Sequence, residues 1–244
     1  MFFVAAFYNF KKIDSQDLDC LKTKILSFMK CNNILGTVLL AQEGINATVS
    51  SETKENLELL AQYVDDLGLI KKEIVKWSTT SIKPFKKCLV KIKPEIVTLG
   101  EPGAKPYEKT GELIAPSEWD NFLNTKKPIL IDCRNNYECA EGTFKGAINP
   151  KTEVFTEFKD YIDKELADKK DADIAMVCTG GIRCEKATAY MYQQGFKKLY
   201  QLHGGILKYL EERGSSKDCS WENNCFIFDE RDLLNKNLTS TKEN

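Results

Sequence analysis

The residues best suited to chemistry are contiguous: Cys178, Thr179, Gly180, Gly181, Ile182 and Arg183. Ahead of them, Ile174-Ala175-Met176-Val177 is an unbroken apolar run that reads as a buried strand. The thiol therefore stands at the carboxyl end of a strand, where open α/β sheets bind their ligands. Two glycines permit a tight loop with inward-pointing backbone N–H groups. A helix read to follow at once adds free N–H groups and a positive dipole end. Arg183 supplies a fixed cation. Together these favour an anion at the loop centre and predict a lowered thiol pKa. The expected group is a nucleophilic thiolate, able also to carry a persulfide. A buried cysteine before a glycine turn is the plainer reading, but it leaves the order strand, cysteine, two glycines, arginine, helix unexplained.

Other residues near this loop have two readings each. Arg134 and Glu138 lie four apart after an earlier strand and either orient the active loop or pair with each other. Cys184 opens the following helix and is either a resolving thiol or a small buried hydrophobe. Glu185 and Lys186 face a substrate or line an exposed face. His203, the only histidine, is expected to pack rather than to act as a base. Lys83, Lys86, Lys87, Lys91 and Lys93 surround Phe85 and form either a phosphate-binding patch or a solvated strand face. Trp77 and Phe85 either support a base or pack in the core.

Three regions must position these groups. Residues 1–93 read as β-α-β-β-α-β, the ferredoxin-like order. Strands are expected at Phe3–Phe7, Thr37–Leu40, Ile45–Val49 and Glu73–Trp77, with helices from Asp14 or Ser15 to Lys30 and from Ser51 to Leu67. Cys88–Ile92 alternates and either extends the sheet or leads out of it. Residues 94–115 are punctuated by Pro94, Gly100, Pro102, Gly103, Pro106 and Gly111 and read as a linker. Residues 116–214 alternate strands with helices, which predicts an α/β domain with a parallel central sheet. A helix is expected over Phe155–Ala167. Residues 215–244 form a short C-terminal extension whose polar end is expected to fray.

Bulk properties narrow the class. The net charge is −1 with a pI near 6.1, which is not the global signature of a nucleic-acid binder. No apolar stretch is long enough to span a membrane. The N-terminus lacks a basic region before its apolar run, so it reads as a strand rather than a signal peptide, and a cytoplasmic location is expected. Nine cysteines without close pairs are expected to be reduced, mostly buried thiols. One histidine rules out building a two-His-one-carboxylate iron triad from this chain. No metal site and no cofactor site is identifiable.

The active loop resembles that of the rhodanese family, Cys-x4-Arg. Leu130-Ile131-Asp132-Cys133-Arg134, Tyr137-Glu138, Gly142 to Pro150 and Leu202-His203-Gly204-Gly205-Ile206 extend the likeness. Thr143 stands where many rhodaneses carry histidine, at a usually structural position. Related phosphatases use Cys-x5-Arg, so the shorter loop is similar to the sulfur-handling branch. Over the whole chain, Glu43 to Val49, Trp77 to Thr80, Pro84-Phe85-Lys86, Glu95 to Gly100, Asp132 to Asn135, Cys178 to Lys186 and Cys225 to Asp229 occur in an order that resembles the bacterial tRNA uridine hydroxylases. Longer members of that family continue into a cysteine-rich tail, where this chain has only Cys219 and Cys225. The resemblance implies oxygen-dependent 5-hydroxylation of a wobble uridine, tRNA as partner, molecular oxygen as co-substrate and Cys178 as the essential thiol. Two rival readings remain at this stage. One is a sulfurtransferase working through a Cys178 persulfide with a sulfur-donor or acceptor protein. The other is a persulfide carrier or scaffold without turnover.

Overall fold

The computed structural model describes residues 1–101, 103–229 and 231–241. Pro102 of the expected linker, and residues 230 and 242–244 of the C-terminal extension, lie outside the described residues. The chain forms two compact units. The first is Met1–Ile96 with Phe228, Asp229 and Arg231; the second is Val97–Ile227 with residues 232–241.

The first unit contains β1 (Phe2–Phe10), α1 (Leu18–Cys31), β2 (Leu35–Ala41), β3 (Gly44–Ser51), α2 (Lys54–Asp66), β4 (Lys76–Thr80) and β5 (Cys88–Ile92). Its sheet order is β4-β1-β3-β2-β5. The first four strands pair antiparallel in the expected ferredoxin-like arrangement, and β5 adds in parallel to the β2 edge. Ala5, Phe7, Val38, Leu40, Ile45, Ala47, Val49 and Val90 alternate onto one buried face with Ile25, Met29, Leu60 and Val64 from the helices. Gly44 closes the β2–β3 turn at φ +145°, and a Cβ there would lie 2.0 Å from the Asn9 carbonyl oxygen. The fourth strand begins at Lys76 rather than Glu73, because Lys72–Ile74 form a 3-10 turn. The Asp65 carboxylate stabilises that turn by accepting the Lys72 N–H at 3.1 Å.

The second unit contains β6 (Glu112–Ile114), α3 (Pro116–Lys126), β7 (Ile129–Asp132), α4 (Asn136–Glu141), β8 (Gly142–Phe144), α5 (Phe158–Glu165), β9 (Asp173–Val177), α6 (Ile182–Gln193), β10 (Lys198–Leu202), α7 (Gly205–Arg213), β11 (Trp221–Asn223), β12 (Cys225–Phe226) and β13 (Leu233–Leu234). The main sheet, β6-β10-β9-β7, is wholly parallel. Alternate strand residues face opposite layers. Ile131, Ile174 and Met176 pack with Phe158, Ile162, Ala187 and Met191, while Leu130, Ala175 and Val177 pack with Trp119, Ile206 and Tyr209. Burial on both faces explains the continuous apolar runs of these strands.

Three expectations about this unit need correction. The segment 97–114 is part of the unit rather than a linker. Leu99 and Ala104 enter its core, each 1 % exposed, and Gly111 N–H donates to Thr188 Oγ1 at 2.9 Å. The segment is proline- and glycine-rich, and the few of its residues that can join a core include the two anchors Leu99 and Ala104. The C-terminal extension is likewise folded over its described residues. Trp221 and Cys225 are fully buried, β11 pairs with β8, and Ser240 bridges to Leu234. Finally, the α5 helix starts at Phe158, with a 3-10 turn over Phe155–Glu157 and a C-terminus at Glu165.

Candidate active site

The site begins at the strand ends. Asp132 of β7 is in register with Val177 of β9, and Cys133 N–H donates to Val177 O at 2.8 Å. Cys133 and Cys178 therefore leave neighbouring strands side by side on the face covered by α6. The chain after Cys178 turns through Thr179 and Gly180 to Gly181, whose φ of +102° a side chain would strain. Gly181 N–H donates to Cys178 Sγ at 3.1 Å. The N-terminus of α7 holds the loop from the other side. Ile206 N–H donates to Cys178 O at 3.0 Å and Leu207 N–H to Thr179 O at 3.1 Å. Gly205 has no room for a side chain, since a Cβ would lie 2.6 Å from Cys178 O and 2.7 Å from Gly181 N.

Arg183 does not project freely toward a ligand. It forms a two-pronged ion pair with Glu138, Nη1 to Oε2 at 2.6 Å and Nη2 to Oε1 at 2.7 Å. Arg183 is 8 % exposed and Glu138 is fully buried. Burial opposes the arginine charge, but the Glu138 carboxylate outweighs it and keeps the guanidinium protonated. Arg183 Nη2 also donates to Thr179 Oγ1 at 3.4 Å. Glu138 is in turn held by the start of α4, where it accepts the Asn135 N–H at 3.0 Å in a capping box.

Arg134 and Glu138 thus do not pair with each other. Arg134 is fully buried and grips Asp132, Nε to Oδ1 at 2.9 Å and Nη2 to Oδ2 at 2.6 Å. Its Nη1 has no hydrogen-bond partner, and the guanidinium lies 5.1 Å from the Trp221 ring centroid. Thr143 Oγ1 donates to the same Asp132 carboxylate at 2.8 Å, a structural role. Lys186 does not line an exposed face. It is fully buried, with Nζ donating to Ala104 O at 3.2 Å, which ties the 97–114 segment to α6. His203 is exposed at the β10 end rather than packed. Ile182 is the first, half-buried residue of α6.

The expected lowering of the Cys178 pKa is reversed in this conformation. The side chain is 1 % exposed, and burial pushes its thiol well above the ordinary value, with a hydrogen bond to Cys184 acting in the same direction. Arg183 pulls the other way, but its charge is already engaged by Glu138. Loop dipoles and a nearby cation could be read from sequence; the desolvation of a closed loop could not. Cys184 and Cys133 are buried beside it, and burial raises both thiols. Of the nine cysteines, five are buried, as expected for most of them, while Cys20 and Cys31 are exposed.

Sequence reading assembled Cys178 to Arg183 and placed Glu138 among the supporting groups. It missed Asp132 and Gly205 as parts of the site. The capping pattern Asn135-Asn136-Tyr137-Glu138 was the available signal that Glu138 would be fixed in place. In the first unit, Lys83, Lys86 and Lys87 are exposed and Phe85 is half-buried. Trp77 is 37 % exposed and lines a cavity with Leu59, Gln62 and Lys72; Lys54 Nζ lies 5.4 Å from its ring centroid.

Comparison with known proteins matches both units. Residues 2–96 fit the UPF0176 acylphosphatase like domain, and residues 115–212 fit the Rhodanese-like domain. A tRNA uridine(34) hydroxylase of Acinetobacter baumannii is 48% identical over 228 residues, covering 93% of this chain and 71% of the relative. One from Picosynechococcus is 45% identical over 230 residues, covering 94% and 76%. One from Legionella pneumophila is 43% identical over 235 residues, covering 96% and 91%. Identity at this level over more than nine-tenths of the chain shows that the chain belongs to the tRNA uridine(34) hydroxylase family.

Proposed function

We propose that this chain hydroxylates the wobble uridine of tRNA at C5, with Cys178 as the thiol that meets the modified nucleotide. The observation that carries the reading is whole-chain identity of 41–48% to proteins named for that activity. The substrate is tRNA. Molecular oxygen is the co-substrate in this reading, giving one oxygen atom to the uridine. Thr179, Gly180, Gly181 and Ile182 shape the loop, and Arg183 fixes its closed form through Glu138. A loop built this way opens to admit a nucleotide, because a thiol at 1 % exposure meets no substrate. Lys83, Lys86 and Lys87 contribute to holding the tRNA backbone. No helix among the described residues is long and apolar enough to cross a membrane. We place the activity in the cytoplasm, where tRNA is modified.

The test is nucleoside mass spectrometry of tRNA from cells lacking the gene, complemented with wild type or Cys178→Ala. Loss of 5-hydroxyuridine derivatives, restored by wild type alone, supports the reading. Growth under ¹⁸O₂ then labels the new hydroxyl if oxygen is the co-substrate. An unchanged nucleoside profile in a strain without a second route would remove the hydroxylase reading. Thiosulfate turnover dependent on Cys178 would then favour a sulfurtransferase served by a sulfur-donor protein.

A further inference from the structure

Hydroxylation by dioxygen needs two electrons beyond those of the uridine C–H bond, and the site holds a group able to supply them. Cys178, Cys184 and Cys133 are 1 %, 1 % and 0 % exposed and share one core cluster. The strand register sets Cys133 beside Cys178, and α6 lays Cys184 across both. The Cys184 thiol shifts the titration of both other thiols, as a close neighbour in the same cluster does. Three buried thiols thus gather in one cluster at the base of the reactive loop. Of the two neighbours, Cys184 lies in the first turn of the helix that follows the loop, whereas Cys133 is tied by its backbone to β9.

We propose that Cys178 and Cys184 are the two-electron donor of the reaction, leaving each turnover as a disulfide that an external thiol must reduce. The proposal rests on the oxygen-dependent reading above. In the net step the uridine C5–H bond and the O–O bond break, and a C5–O bond forms. The second oxygen leaves as water with the two thiol hydrogens. Both sulfurs are oxidised, and the Cys178–Cys184 S–S bond forms. Uridine, dioxygen and two thiols thus give 5-hydroxyuridine, a disulfide and water, with atoms and electrons balanced. Bringing the sulfurs to the ~2.05 Å of an S–S bond moves the loop, where Gly180 and Gly181 give freedom, more than the helix. Any thiol able to reach the opened loop, a small dithiol included, regenerates the pair by exchange.

The experiment uses the full chain carrying Cys20→Ser and Cys31→Ser, which removes the two exposed thiols that would cross-link molecules. The protein is reduced, freed of reductant without air, and mixed with unmodified tRNA in aerated buffer. About one 5-hydroxyuridine per chain is expected before the reaction stops, as a two-electron reservoir allows. Peptide mapping should show a Cys178–Cys184 disulfide in equal amount, and dithiothreitol should restart turnover. Cys184→Ala and Cys184→Ser, checked for folding by thermal melting, should give at least tenfold less product without reductant. Product formed by wild type with all thiols still free would overturn the couple and leave the hydroxylase reading intact. So would equal yields from wild type and a folded Cys184 variant. No product from wild type, with or without dithiothreitol, would sink the hydroxylase reading and the couple with it.

Discussion

The ion pair of Glu138 and Arg183 takes two charges out of water, and its geometry is two-pronged at 2.6 and 2.7 Å. Removing one partner leaves the other charge buried and uncompensated. Glu138→Ala is therefore expected to cost about 3–5 kcal/mol of stability, read as a lowered urea midpoint. Arg183→Lys keeps a charge but loses the planar fork, so it should not restore the loop. The buried thiols make a second claim at this scale. Burial pushes Cys139 and Cys225 to about 12 from 9.0, and raises Cys133, Cys178 and Cys184. Above the ordinary value the unfolded chain releases protons that the folded one retains. Stability from these groups is full below about pH 9 and is lost as pH rises toward their folded values. Urea midpoints should fall as pH rises from about pH 9 toward about pH 12; a flat profile would contradict closed burial of these thiols. The Cys178 loop was legible because its parts are contiguous. The lock on Arg183 was not, because Glu138 lies 45 residues away and meets it only through the fold.

Elements were legible where their period was long enough to show. Helices α1 and α2 and strands β1, β2, β3 and β9 follow apolar periods bounded by turn residues, and the expected and observed ranges overlap. β6 was not legible, since only Leu113 and Ile114 are apolar and Leu113 is 50 % exposed. Its pairing with β10 comes from its neighbour rather than its own pattern. β11 is similar, a three-residue strand that in sequence was only part of a short C-terminal extension. Trp221 changes its meaning. The ring is fully buried, meets Phe144 edge-on at 5.3 Å between centroids, and receives the Arg134 guanidinium on its face. Trp221→Ala should cost about 3–5 kcal/mol and should also loosen Arg134 and Asp132 behind the active loop. Thermal melting measures the first effect. Faster alkylation of Cys133 by iodoacetamide in the folded protein measures the second. A variant that melts like wild type would show that the extension merely lies on the unit.

At the scale of the whole chain, a net charge of −1 must be reconciled with a polyanionic substrate. Global attraction cannot supply the affinity, so local cation clusters must, and each lysine that neutralises a phosphate releases a counterion. Lys83, Lys86 and Lys87 are exposed within one short segment of the first unit, which also presents Lys91 and Lys93. Strand alternation sets Cys88, Val90 and Ile92 toward the core and leaves Lys87, Lys91 and Lys93 on the opposite side of β5. The same pattern serves a merely solvated edge strand equally well, which is why sequence left both readings open. Salt dependence separates them. If the three lysines contact phosphates, the triple change of Lys83, Lys86 and Lys87 to Gln should weaken tRNA binding. It should also reduce the slope of log K against log salt by about 2–3, with the melting temperature unchanged because all three side chains are exposed. If they form only a solvated face, affinity and slope stay at their wild-type values, and the tRNA-binding surface lies among other cations of the chain.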